Sequence, residues 1–306
     1  MARMVSSPVP VMKPLVIALP GNEPLARRIA EHCDGILGGC ELRRFPDGEE
    51  YLRLEGDLAG RSVVIVCTLH PPHERAMVAL LVAAAARDLG AARVGLVAPY
   101  LAYMRQDERF RPGEAVTSGY FARLISGAYD WLVTVDPHLH RHASLDEIYT
   151  IPTRVIASAP DIASWLIASV DRPFLIGPDA ESEQWVGAVA RAADAPFAVL
   201  AKTRRGDREV EITAPDPVAY RGRTPVIVDD IISTGSTMLQ TLRHLTDTAA
   251  PLCIGVHAVF AGTAHADLVA MGVRGVATCN TIAHPSNAID VSQRVAEATA
   301  ALLKDA

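Results

Sequence analysis

The sequence is poor in aromatic side chains, with Phe, Trp and Tyr at 5% of its 306 residues. Platforms that stack the bases of single-stranded nucleic acid need such rings in number, so that class of surface is excluded. There is no surplus of positive charge either: the formal net charge is −6, which argues against a protein that coats nucleic acid. Cysteine is scattered. Cys33, Cys40, Cys67, Cys253 and Cys279 form no C-x-x-C pair and are odd in number. That excludes a zinc ribbon, speaks against a disulfide framework and favours a reducing compartment. No apolar run is long enough to span a bilayer, since the most apolar stretch, Ala76 to Ala86, is bracketed by Arg75 and Arg87. Pro8, Pro10 and Pro14 interrupt any signal-type run, and the first dozen residues read as a disordered leader. These absences predict a cytoplasmic protein with no membrane partner and no nucleic-acid partner.

What is present is a rhythm. Val63–Val66, Val94–Val97, Trp131–Val135, Phe174–Ile176 and Val226–Val228 are continuous apolar runs, the pattern of strands buried on both faces of a parallel sheet. Between them lie helical stretches at Glu74–Gly90, Gly119–Ser126, Ala159–Val170, Ser182–Ala192 and Thr237–Thr248. The class predicted is α/β, with mostly parallel sheets flanked by helices. Two segments also correspond. Arg61–Val66 with its loop, helix and next strand matches Arg223–Val228 with its own, so the chain reads as two related domains in tandem. Ile151-Pro152 marks the expected boundary, giving domains at 14–151 and 152–290, with a C-terminal helix at 291–306 that returns to the first. The polar region Asp207–Arg223 reads as a mobile loop or a hairpin.

The sharpest signal follows the strand at Val226. Asp229 and Asp230 are delivered at its carboxyl end, followed by Ser233, Thr234, Gly235, Ser236 and Thr237 opening a helix. In open α/β sheets ligands bind outside the carboxyl ends of strands. Gly235 permits positive φ, hydroxyls abound, and amide N–H groups at a helix start favour an anion. Two carboxylates beside such a cradle suit the vicinal hydroxyls of a sugar, so a sugar phosphate fits. A solvated, capped turn is the plainer alternative. Neither G-x-x-x-x-G-K-[ST] nor a G-x-G-x-x-G after a strand occurs, so a nucleotide would be held without those loops.

This stretch resembles the phosphoribosyl-diphosphate (PRPP) motif of the type I phosphoribosyltransferase fold. Further segments resemble those of ribose-phosphate pyrophosphokinases, or PRPP synthetases: Phe45-Pro-Asp47-Gly48-Glu49, Pro99-Tyr100 with Arg105-Gln106-Asp107, Val135-Asp136-Pro-His138, Gly177-Pro-Asp179 and Lys202-Thr-Arg204. The resemblance implies two tandem type I phosphoribosyltransferase-like domains. It implies transfer of diphosphate from ATP to ribose 5-phosphate, with Mg²⁺ as the cation, in a homodimer or larger homo-oligomer. It assigns catalysis to Lys202 and Arg204, and ribose 5-phosphate to Asp229, Asp230 and Ser233–Thr237. Phe45, Asp47, Gly48, Glu49, Arg105, Gln106 and Asp107 fall to ATP, and Asp136, His138 and Asp179 to the metal. Each has a plainer reading: Phe45–Glu49 as an ordinary turn, Asp179 as a helix cap, Lys202–Arg204 as a solvated basic hairpin. His138-x-His140-x-His142 could suggest a soft metal cluster on one face if the strand continued, but only His138 occupies the family's position, so His140 and His142 read as loop residues.

The sequence also departs from the family. Glu181-Ser182 stands where two glycines are common, the phosphate turn begins with Ser233, and Thr150 replaces a common acidic residue. The Ser-Thr-Gly-Ser-Thr turn leaves open a phosphoribosyltransferase that consumes PRPP. A non-catalytic homologue is the third reading, disfavoured by the presence of Lys202 and Arg204.

Overall fold

The computed structural model describes residues 12–205, 209–213, 220–245 and 249–305. The first half runs β1 (Leu15–Ala18), α1 (Glu23–His32), β2 (Ile36–Arg44), β3 (Glu50–Glu55), β4 (Ser62–Val66), α2 (Pro72–Asp88), β5 (Arg93–Ala98), α3 (Thr117–Ala128), β6 (Trp131–Val135) and β7 (Thr153–Ile156). The second runs α4 (Ala159–Ser169), β8 (Pro173–Gly177), α5 (Glu183–Ala193), β9 (Phe197–Val199), β10 (Ala201–Arg205), β11 (Glu209–Thr213), β12 (Thr224–Ile231), α6 (Ser236–His244), β13 (Leu252–His257), α7 (Ala264–Ala270), β14 (Gly275–Cys279), β15 (Asn287–Ile289) and α8 (Ser292–Lys304). The expected leader, and the expected end of α6 at Thr246–Thr248, lie outside the described residues.

The two sheets have the orders β3-β2-β1-β4-β5-β6-β7 and β9-β8-β12-β13-β14-β15. With β3 set aside, the orders match strand for strand, and every pairing within these sheets but β2–β3 is parallel. The likeness of Arg61–Val66 to Arg223–Val228 therefore extends to whole sheets, with β4 and β12 in equivalent central places. Each unit also inserts an antiparallel hairpin just before its central strand, β2–β3 in one and β10–β11 in the other. Central strands carry residues such as Val63–Val66 at 0% exposure, because helices cover both faces. Strands approach closely where bulk demands it: a Cβ on Gly95 would stand 2.0 Å from the ring of Trp131 on the neighbouring strand.

The first sheet runs past the expected boundary. Thr153–Ile156 pairs with β6, so Ile151-Pro152 is a loop leading into the sheet's edge strand and the change of unit comes after Ile156. The C-terminal helix α8 lies against α1, β6 and β7. One apolar core is continuous through both units, joining Ile29 of α1, Val133 and Val135 of β6, Leu175 of β8, Val226 of β12 and Val295 of α8. Their relative placement is thus fixed by packing. Among the described residues no helix is long and apolar enough to cross a membrane.

Candidate active site

The loops after β6 and β12 meet at the junction of the two units. His138 Nδ1 and Asp230 Oδ2 are 2.6 Å apart, and His140 Nε2 is 3.1 Å from His138 Nδ1. Around them is a cavity of about 120 Å³, lined from the first unit by Arg105, His138 and His140 and from the second by Asp179, Asp229, Asp230 and Thr237. Each sheet thus presents its carboxyl-end loops to the other, and the cavity exists only because the two units dock.

The acid pair is electrostatically divided. Burial, then the charge of Asp230, then that of Asp179 push the Asp229 carboxyl well above the usual range. Burial would raise Asp230 too, but its hydrogen bond to His138 and the histidine's charge outweigh it, and Asp230 sits below the usual range. Their surroundings thus shift the two neighbouring carboxyls in opposite directions.

Behind the cavity His257 is fully buried at the end of β13. Its ring nitrogens lie 2.9 Å from Thr281 Oγ1 and 3.2 Å from the carbonyl oxygen of Asp136, tying the second unit to the first. Burial pulls its pKa from 6.5 down to about 4. Unfolding frees the ring to bind a proton that the native state refuses, so stability is lost as pH falls from about 6.5 toward 4. His257→Gln is expected to flatten that stretch of the stability–pH curve in denaturant titrations, and an unchanged slope would contradict it.

The turn after β12 is shaped as a cradle. Gly235 adopts φ +69°, a left-handed conformation, at the N-cap of α6, and Thr234 Oγ1 bonds Ser236 Oγ at 3.1 Å. Ser233 anchors the turn from behind, its carbonyl accepting from the amide of Ala261 at 3.0 Å.

The comparisons with known proteins agree in detail. The family described as the N-terminal domain of ribose phosphate pyrophosphokinase matches residues 15–128, and the phosphoribosyl transferase domain family matches residues 144–293. Ribose-phosphate pyrophosphokinase of Methanopyrus kandleri is 36% identical over 289 residues, 93% of this chain and 98% of that protein. Its namesake from Methanobrevibacter smithii is 30% identical over 92% of this chain and 98% of that protein. The chain belongs to the ribose-phosphate pyrophosphokinase family. The crystal structure of phosphoribosylpyrophosphate synthetase from Mycobacterium smegmatis matches the fold at a TM-score of 0.81 with 20% identity, covering 96% of this chain and all of that one.

In this member of the pyrophosphokinase family some expected site residues come together and others do not. Arg105, His138, Asp179, Asp229, Asp230 and Thr237 line the cavity. Asp179 meets its plainer reading while lining the cavity: it caps the short 3-10 turn Ala180–Ser182, its Oδ1 accepting from Ser182 N at 3.2 Å. Asp136 is turned aside. Its Oδ2 accepts from the amide of Ser158 at 2.8 Å and from the hydroxyl of Ser158 at 2.5 Å, and its backbone is held at φ +31°. That carboxylate clamps the loop that carries His138 and lies outside the cavity lining. Asp107 is likewise engaged, paired with Arg141 at 2.8 Å and 4% exposed, so it orders the loop. Gln106 meets α3 through its carbonyl, which accepts from Ser118 N at 3.2 Å.

Phe45, Asp47, Gly48 and Glu49 form the β2–β3 turn, with Gly48 at φ +95° and Asp47 Oδ1 accepting from Glu49 N at 3.2 Å. This tip is outside the cavity lining, and Phe45 is 42% exposed. Lys202 and Arg204 lie in β10, opposite Ile212 and Val210 of β11, so the hairpin reading of that region holds for its first part. Residues 206–208 and 214–219, including Arg208, lie outside the described residues.

His140 lies in the loop after β6, as its sequence reading has it, and from there faces His138 and the cavity. His142 does sit apart, 2.8 Å from Glu147. The x-His-x-His alternation was the signal that could have found His140.

Proposed function

We propose that this protein transfers the terminal diphosphate of ATP to the C1 hydroxyl of ribose 5-phosphate, giving PRPP and AMP for nucleotide biosynthesis. The observation that carries this reading is the 2.6 Å contact between His138 and Asp230. It sets the acidic, hydroxyl-rich loop of one unit against the loop of the other that bears His138, beside Arg105. Holding donor and acceptor together in this way removes much of the entropic barrier of a two-substrate reaction. The C1 oxygen bonds to the β-phosphorus, the bond from that phosphorus to the α,β-bridging oxygen breaks, AMP leaves with the electron pair, and the hydroxyl proton passes to water.

Ser233–Thr237 receive the 5-phosphate, Asp229 and Asp230 the ribose hydroxyls, and Arg105 the ATP phosphates. Lys202 and Arg204 neutralise charge on the transferring group as their hairpin closes. Four carboxylates and two imidazoles around the cavity fit a divalent cation, which Asp179, Asp229 and His138 would hold. When bound, Mg²⁺ supplies charge neutralisation on the phosphates. Purified protein given ATP, ribose 5-phosphate and Mg²⁺ should release AMP only when the sugar is present. Consumption of PRPP with a base would instead make it a phosphoribosyltransferase, and neither reaction a non-catalytic homologue.

The exposed Phe45–Glu49 tip completes the adenine pocket of a neighbouring copy, making a homodimer the smallest active unit. The surface best suited to self-association lies on α2 and α3, where Met77 and Leu124 are 57% and 56% exposed beside an apolar groove. Met77→Glu with Leu124→Glu is expected to yield a monomer in analytical ultracentrifugation. An unchanged assembly would place the contact elsewhere.

A further inference from the structure

In the loop that joins β5 to α3, Tyr103 adopts φ +64°. A bulky side chain is rarely found in that left-handed conformation, which persists only where the surroundings over-determine it. Here they do. The Tyr103 hydroxyl and His73 Nδ1 of α2 are 2.5 Å apart. The Tyr103 ring also lies 4.6 Å from that of Phe121 on α3, tilted by 37°. Two helices thus grip one side chain at a turn of the backbone.

The turn decides what the next residues do. Met104 drops into the core at 1% exposure, while Arg105 lines the cavity with His138 and Asp230. Among the described residues no hydrogen bond or ion pair holds the Arg105 guanidinium, so its aim depends on the backbone that delivers it. That backbone is tied on both sides. Leu69 N donates to the carbonyl of Tyr100 at 3.1 Å, and Ser118 N donates to that of Gln106 at 3.2 Å. Between these ties the Tyr103 side chain is the anchor, and its release toward the ordinary φ range would re-aim the chain two residues before Arg105. We infer that His73 and Tyr103 are positioning residues for Arg105. His73 is outside the cavity lining, so any effect it has on a ligand of Arg105 travels through Tyr103.

This inference deepens the proposed function and rests on it only in taking ATP as the ligand of Arg105. Two measurements keep them apart. In hydrogen–deuterium exchange of the unliganded protein, Tyr103→Phe and His73→Ala are each expected to speed exchange at residues 101–107 and to leave the amides of β4 unchanged. Equilibrium dialysis in Mg²⁺ then gives the affinity for ATP. Tyr103→Phe keeps the ring and removes the hydroxyl, and is expected to weaken ATP by about two- to tenfold, the span of one net hydrogen bond. In an Arg105→Ala background the same change is expected to have no further effect, because both act through one contact. Affinity for ribose 5-phosphate is expected to stay as in the wild type. Equal weakening of ATP with and without Arg105 marks a merely structural role and overturns the inference. So does wild-type exchange at 101–107 in both variants. A wild-type protein that binds no ATP overturns the proposed function instead, and the exchange result alone then decides the inference.

Discussion

Asp230→Asn is expected to reduce the sugar-dependent release of AMP by roughly 10²–10³-fold, the scale seen when one preorganised electrostatic contact is removed from a buried site. Asp230 is 5% exposed and makes the contact that ties the two units together at the cavity. The amide keeps the size of the side chain and can still accept from Ile231 N through its oxygen, so the fold is expected to survive. What it loses is charge. His138 no longer faces an anion, and the ribose loses one of its two acidic partners. Because the contact is made both before and during transfer, KM for ribose 5-phosphate should rise as kcat falls. Initial rates at varied sugar concentration, with circular dichroism as the check on folding, measure this. Turnover near that of the wild type would remove Asp230 from the reaction.

Lys202→Ala is expected to act differently. Its strand belongs to a hairpin outside both main sheets, so the unfolding midpoint should scarcely move. kcat should fall by about 10²–10³-fold with little change in either KM, the signature of a contact made chiefly in the transition state. Single-turnover measurements with saturating ATP and sugar isolate the effect. A KM increase at unchanged kcat would reassign Lys202 to ground-state binding.

Much of the scaffold was legible because burial writes a simple pattern. β4, β5, β6 and β12 are covered on both faces, so their sequences are unbroken apolar runs that need no partner to be recognised. β2 escaped notice for the opposite reason. Most of it is exposed or half-buried, it carries Gly38 and Gly39, and its pairing with β3 is an antiparallel addition at the sheet edge. The glycines are required by neighbours out of reach of local reasoning: a Cβ on Gly38 would stand 2.9 Å from Ile17 Cγ1 on the next strand. β7 was missed through its punctuation. Ile151-Pro152 reads as a break between domains, but a proline just before an edge strand interrupts nothing there, and the pairing of Thr153–Ile156 with β6 is a tertiary choice.

The same division runs through the site. Asp229 to Thr237 could be read because its acids, hydroxyls and glycine are contiguous, so one loop announces its chemistry. Residues whose role depends on a distant partner could not be sorted in that way. Asp136 and Asp107 look as available as any acid in the sequence. Only the structure shows Ser158 and Arg141 occupying them. His140 is the converse case, a residue that the sequence places in an ordinary loop and that gains its place when Asp230, Glu181 and Trp185 arrive from the second unit.

The return of α8 to α1 joins segments far apart in sequence. Ile29 and Ala30 share their apolar cluster with Val295, Ala296 and Leu302. Contacts of such long sequence separation carry a large loop-closure cost, so this seam is expected to zip late in refolding, after the local strand–helix units have formed.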